Sequence, residues 1–359
     1  MLNRTSVAAL LAAGLLAGPA LARDYILAPI RPDKLVVVDA EAMAIETVIT
    51  LEDAGPMPQL PVVSKDGSRA FVLMNGQESI AEVDLHSGKT LKRIDMSDGT
   101  TRVKGMFGMD LAPDGKTLVV YQSPVELHAT EFKVQPTRIA FYDTETGALK
   151  STAPAPRQIT LLAYGTDGSK IYGMGRNMFV FDATTGAVIE EKPIHGWQQD
   201  THTQPDVLDV WSQFESSGVM ATPFYAVRKD KDPTDPTAYQ TGLLTLDLST
   251  GDLSMRDAEA TDIFYFSTAV SPDKTRLYGA YNFLSSFDLA TPAPIKRVPL
   301  PHSYYSVNVS TDGRTVWLGG ALGDLAAYDA ETLERKGEVK MPGGASMSLA
   351  SVRLFTRED

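Results

Sequence analysis

The chain has 359 residues, a formal charge of −12 and no cysteine. Without cysteine it can form no disulfide, thiolate nucleophile, iron–sulfur cluster or covalently attached haem of its own. Its acidic balance argues against nucleic acid and anionic membranes as partners, since both repel net negative charge.

The first residues read as a secretory signal peptide. Arg4 supplies the positive start, residues 7–17 the apolar stretch, and Ala20-Leu21-Ala22 the small-residue cleavage site. The apolar stretch is too short to span a bilayer. Cleavage after Ala22 leaves 337 residues (359 − 22), expected to be exported and soluble. With no linker or change of composition, residues 23–359 read as one domain.

From there the chain repeats itself. A tight turn recurs as Val63-Ser64-Lys65-Asp66-Gly67, Ala112-Pro113-Asp114-Gly115, Gly165-Thr166-Asp167-Gly168, Val270-Ser271-Pro272-Asp273 and Ser310-Thr311-Asp312-Gly313, with a looser copy at Glu215-Ser216-Ser217-Gly218. Asp bonds to its own backbone in such turns, and Gly accepts positive φ. A run of β-favouring residues follows each turn (RAFVLM, KTLVVY, SKIYGM, TRLYGAY, RTVWLGG), and a second apolar run then ends in Asp. Those aspartates are Asp39, Asp84, Asp143, Asp182, Asp247, Asp288 and Asp329, 45, 59, 39, 65, 41 and 41 residues apart by subtraction.

A period of about 40 to 50 residues filled with short strands predicts a β-propeller. Seven aspartates predict seven four-stranded antiparallel blades. The mature start offers only three strands (DYILAP, KLVVVD, AIETVITL), and the end offers one unpartnered run, MSLASVRLF. The last strand is therefore expected to complete the first blade and close the ring, removing an exposed edge. Blades two to seven are expected near 58–95, 106–150, 159–192, 207–256, 262–299 and 304–341.

In a four-stranded meander, the first-to-second and third-to-fourth turns lie on one face of the disc. The repeated Asp turns occupy that face and are short. The other face receives the long insertions, residues 123–137, 193–205 and 227–241. His128, His195, His202 and His302 map there too, whereas His86 sits on the turn face. Loops on a rigid scaffold carry recognition, so the insertion-bearing face is the expected working face.

Candidate chemistry is sparse. HGWQQDTH, from His195 to His202, would suit a metal by ligand type with His128 or His302 and Asp200, but it lacks a recognised ligand spacing, so no metal is assigned. The repeated aspartates stand singly in turns, without the dense oxygen ligands calcium needs. Trp197 and Trp211 with Phe214, Phe224 and Tyr225 make blade five aromatic, as partner anchors or as filling between blades. Tyr304 and Tyr305 would face the central channel if they open a first strand. His128, His195, Trp197, His202, Tyr239, His302, Tyr304 and Tyr305 are the candidate partner- or substrate-facing residues. No nucleophile elbow, zinc-protease motif or phosphate loop stands in a supporting context.

The mature start RDYILAPIRPDKLVVVDAEAM, the insertion HGWQQDTHTQPD and the end GGASMSLASVRLF resemble the β subunit of quinohemoprotein amine dehydrogenase, over essentially the whole mature chain. Single motifs are less specific, since many bacterial propellers share them, including those named for a Tyr-Val-Thr-Asn repeat. The resemblance implies a periplasmic heterotrimer that deaminates primary amines oxidatively to aldehydes and ammonia. It implies a di-haem cytochrome c α subunit and a small γ subunit carrying cysteine tryptophylquinone. This propeller would carry no cofactor and no catalytic residue; it would hold the other subunits and help wall the amine cavity. The alternative is a free-standing exported propeller that binds a small molecule or an envelope partner, or a metal-dependent lactonase-like hydrolase.

Overall fold

The segment Lys34–Asp39, KLVVVD, is buried along its whole middle, while the next strand, Ala44–Thr50, shows mostly exposed and half-buried residues. A strand packed on both faces reads as a continuous apolar run, and a strand at the rim alternates. That gradient from centre to rim recurs around the ring and builds seven antiparallel sheets. The computed structural model describes residues 22–197, 200–207, 213–348 and 350–358. The signal-peptide reading and Trp211 fall outside these residues.

The architecture is a seven-bladed β-propeller. Blade one joins Arg23–Ile30, Lys34–Asp39 and Ala44–Thr50 to the C-terminal strand Arg353–Arg357, which pairs antiparallel with Arg23–Ile30 in the register Tyr25↔Phe355. The chain's end thus supplies the innermost strand of its first blade, as the three-strand start predicted. Blades two to seven follow as consecutive meanders, from Gln59–Val63 in blade two to Arg335–Lys340 in blade seven. Three short 3-10 turns are the only helical segments among the described residues.

The core is a ring of seams. Seven buried clusters each join two neighbouring blades: Ile26, Ala28 and Ile30 face Trp317 and Leu325 of blade seven, whereas Tyr25 and Leu27 face Val72 and Met74 of blade two. Alternate residues of one strand therefore serve opposite neighbours, which explains the unbroken apolar runs.

Turn chemistry fixes the register. Asp66 Oδ1 accepts hydrogen bonds from the Ser64 hydroxyl at 2.6 Å and the Ser68 N–H at 3.1 Å, and Gly67 takes φ 68°. At Asp143 the carboxylate accepts the Thr146 N–H at 2.8 Å and Gly147 takes φ 74°.

The insertion at 123–137 is more ordered than a surface loop. Thr117–Leu127 runs on beyond its blade, flanked by Phe132–Val134 on one side and Thr101–Lys104 on the other. Cross-strand pairs Leu127↔Phe132 and Val125↔Val134 share one face of this tab, and Glu126↔Lys133 lies on the other. The third strand mixes the two sides: Arg102 lies opposite Val125 on the apolar side, and Val103 lies opposite Pro124 on the side of Glu126.

Candidate functional site

The second-to-third loops and the links between blades form the insertion-bearing face. Two of its insertions are stitched together. The Lys229 N–H donates to Thr201 O at 2.7 Å, the Thr203 N–H to Val227 O at 2.9 Å, and the Val227 N–H to Thr203 Oγ1 at 2.9 Å. His202 is buried at this junction, with Nε2 2.8 Å from Asp257 Oδ2 and Nδ1 2.8 Å from the Thr201 hydroxyl oxygen. The Trp197 ring packs 5.3 Å from both the His202 and Phe224 rings. The described residues of 193–205 and 227–241 form one bonded shelf rather than two loops.

His195, Asp200 and His202 border one open cavity of ≈ 350 Å³ beside this shelf. His195 Nδ1 lies 3.3 Å from Pro205 O. His128 sits apart on the tab, 3.3 Å from Glu126 Oε2. His302 is on blade seven, with Nε2 2.9 Å from Asp324 Oδ1 and Nδ1 2.9 Å from Ser303 O. Among the described residues no three acidic or imidazole groups converge in metal-holding geometry.

Tyr304 departs from its expected place. It is fully buried in the seam between blades six and seven, donating to Asp324 Oδ2 at 2.6 Å, rather than lining the channel. Two polar atoms explain this: a buried Tyr hydroxyl needs an acceptor, and Asp324 supplies one inside the blade. Burial and the Asp324 carboxylate together push the phenol upward. Tyr305 turns the other way and joins a cluster of rings from blades five, six and seven.

That cluster is Tyr225, Phe264, Phe266, Tyr281 and Tyr305. Phe264 stacks on Tyr225 at 5.5 Å and meets Tyr281 edge-on at 5.4 Å; Tyr305 lies 4.6 Å from Phe266 and 5.9 Å from Tyr281. Tyr225 holds the cluster to the backbone, accepting the Tyr265 N–H at 2.8 Å and donating to Tyr265 O at 3.1 Å. Phe264, at 40 % exposure, is its solvent-facing ring.

Exposed apolar side chains are distributed by face. Among the described residues, thirteen large apolar side chains are exposed; six lie on outermost strands, and seven lie on the insertion-bearing face. The seven are Met106, Leu127, Phe132, Val134, Tyr239, Phe264 and Leu322. The turn face has none. Leu127, Phe132 and Val134 adjoin on the tab, and the other four come from different loops and links of this face.

The turn face has a different feature, a cavity of ≈ 490 Å³ on the ring axis, bordered by turns of several blades. Arg353, buried in the closing strand, donates from Nη1 to Glu215 Oε1 at 2.7 Å and lies over the Phe214 ring at 5.7 Å. Asp110, on the first strand of blade three, faces the same space.

Sequence patterns had singled out His202, His302 and Tyr304 but not the carboxylates they meet, Asp257 and Asp324. Those partners lie 55 and 22 residues from the histidines, on other strands, and carry no local signature. Phe264, Phe266 and Tyr281 were also missed, although DIFYF was visible as an aromatic run opening blade six.

Among solved structures, the chain resembles Kuenenia stuttgartiensis hydrazine synthase at 15 % identity and TM-score 0.58, covering 86 % of this chain and 89 % of that one. It also resembles a functionally unknown protein from Desulfotomaculum acetoxidans DSM 771 at 12 % identity and TM-score 0.58, covering 93 % and 99 %. At these identities the likeness establishes the propeller fold alone. No family model matches the chain, and no curated protein matches it.

Proposed function

We propose that this chain is the non-catalytic propeller subunit of a periplasmic quinohemoprotein amine dehydrogenase. In this reading it binds a di-haem cytochrome c subunit and a small quinone-bearing subunit, and it walls part of the cavity that admits a primary amine. The observation that carries the reading is the one-sided display of seven exposed apolar side chains on the face that also bears all three insertions. The N-terminal, insertion and C-terminal stretches that resemble the family support it further.

The chain's own residues would act by shape. The bonded shelf of 193–205 and 227–241 and the three-stranded tab offer pre-ordered surfaces, which lowers the entropy lost on association. The stacked rings behind Phe264 offer a rigid apolar wall. The quinone, when bound through its own subunit, supplies the redox chemistry; nothing in this chain is asked to react.

The axial cavity favours a second reading, a free-standing exported propeller that binds a small molecule. Purification of the tagged chain from its native periplasm, with a visible spectrum of the eluate, separates the two. Co-purifying c-type haem that is reduced on addition of a primary amine is the expected result. A colourless chain recovered alone under gentle conditions supports the free-standing reading instead.

A further inference from the structure

The assembly reading leaves the axial cavity unused, since it opens on the face opposite the insertions. Deeper on the axis, Gln213 spans the ring: its Nε2 donates to Ser351 Oγ at 3.2 Å, and its backbone pairs with Ala269 of blade six. Above it, Arg353 and Glu215 neutralise one another at 2.7 Å. Asp110 has no such partner. Its Oδ2 accepts the Tyr164 N–H at 2.6 Å and its Oδ1 the Leu111 N–H at 2.8 Å, and it forms no ion pair with any described residue.

We propose that this cavity binds a small organic ammonium ion, its charged head on Asp110 and its apolar body against Phe214, Leu354 and Phe355. Two features of the cavity favour a cation. Arg353 and Glu215 cancel, so an ionised Asp110 places a negative charge in the cavity that only Lys65, at the exposed rim, opposes, and a buried charge left so weakly compensated is costly. Each Asp110 oxygen has taken one donor and can accept another, the geometry an ammonium's three N–H groups match. An arriving anion would instead meet two carboxylates and an arginine already engaged. Lys65, at the exposed rim, is the lining cation outside the Arg353–Glu215 pair.

Protonation supports the same assignment. Burial pushes Asp110 up to about 7, against the Tyr164 and Leu111 N–H groups and Arg353, with Glu215 adding to the rise. The groups facing it are therefore Arg353, Glu215 and the Tyr164 phenol, with Lys65 at the rim. A bound cation stabilises the ionised carboxyl, so binding releases the Asp110 proton and tightens as pH rises.

Calorimetric titration of the purified full chain with butylammonium chloride, and with sodium butyrate as the charge-reversed probe, tests this. Saturable butylammonium binding is expected, about tenfold tighter at about pH 8 than at about pH 6. Titration near neutral pH in two buffers of different ionisation enthalpy should report proton release, and butyrate should not bind. Asp110→Asn should lose binding at least about tenfold. Lys65→Glu, an exposed change that leaves the amide bonds to Asp110 intact, should tighten it severalfold. Butyrate binding as well as butylammonium, pH-independent affinity, no effect of either substitution, or no saturable binding at millimolar concentration would each overturn the proposal. It stands apart from the assembly reading, which a failed titration would leave untouched.

Discussion

His202 Nε2 lies 2.8 Å from Asp257 Oδ2, tying an insertion between blades four and five to the outermost strand of blade five. Three backbone-donated bonds among Thr201, Thr203, Val227 and Lys229 hold the same insertion against the start of the next one. Replacing His202 by Ala removes a buried, charge-assisted partner and should cost ~1–3 kcal/mol. The loss should be local. Hydrogen exchange at the Thr203 and Lys229 amides should speed up while blade-two amides keep their protection, and uniform acceleration would show that the shelf is not a separate unit.

Closure of the ring should be the largest single source of stability that a point change can reach. Phe355 stacks on Tyr25 at 5.6 Å, and Arg357 lies over the same Tyr25 ring at 4.0 Å while donating to Glu46. Phe355→Ala should lose ~3–5 kcal/mol in urea unfolding. Val188→Ala, on an exposed rim strand, should change stability by less than ~0.5 kcal/mol. Equal effects would mean that the closing strand is dispensable.

Gly242 has a packing reason rather than a turn reason. A Cβ there would lie 2.0 Å from Phe224 Cζ, inside the ring of the neighbouring strand. Gly242→Ala should therefore cost ~1–3 kcal/mol or more through forced displacement of that ring. Adding Phe224→Ala should make the double variant less unstable than the sum of the two single changes, because the clash is removed. Simple additivity in thermal unfolding would contradict this.

The turn carboxylates predict acid lability. Asp247 is held down to about 2: partial burial raises it, but bonds from Lys274 and from Ser249 outweigh that. Asp84, Asp143, Asp182 and Asp329 are lowered chiefly by backbone N–H groups of their own turns. A carboxyl lowered on folding stabilises above its unfolded value and loses that contribution as pH falls toward its folded one. Stability should thus drop between about pH 4 and about pH 2. Asp247→Asn should lower the unfolding temperature at neutral pH and have little effect near the acid end of that window; a constant difference across it would assign the effect to packing.

The sequence revealed the ring more fully than the sites. Asp-Gly turns and Asp-ended apolar runs are local, so the seven blades and the strand exchange between the chain ends could be read directly. The tab could not. Residues 123–137 contain Pro124 and read as a loop, yet Val125 and Leu127 continue the strand because Thr101–Lys104 and Phe132–Val134 pair with it on either side. Tyr304 was misplaced because its acceptor, Asp324, lies on another strand of the blade. The axial cavity was invisible for the same reason: Glu215 and Arg353 meet across 138 residues of chain.

The central claim is that the insertion-bearing face holds the partners. Its most direct test compares Phe132→Asp/Val134→Asp, two changes on the exposed tab, with Lys65→Glu on the turn face, each recovered by tag from the native periplasm. The account predicts that the tab variant stays folded and loses haem-bearing and small partners at least about tenfold, as expected for charges placed in an apolar contact, while Lys65→Glu keeps them. Undiminished partner recovery with the tab variant, or loss with the turn-face variant alone, would contradict it.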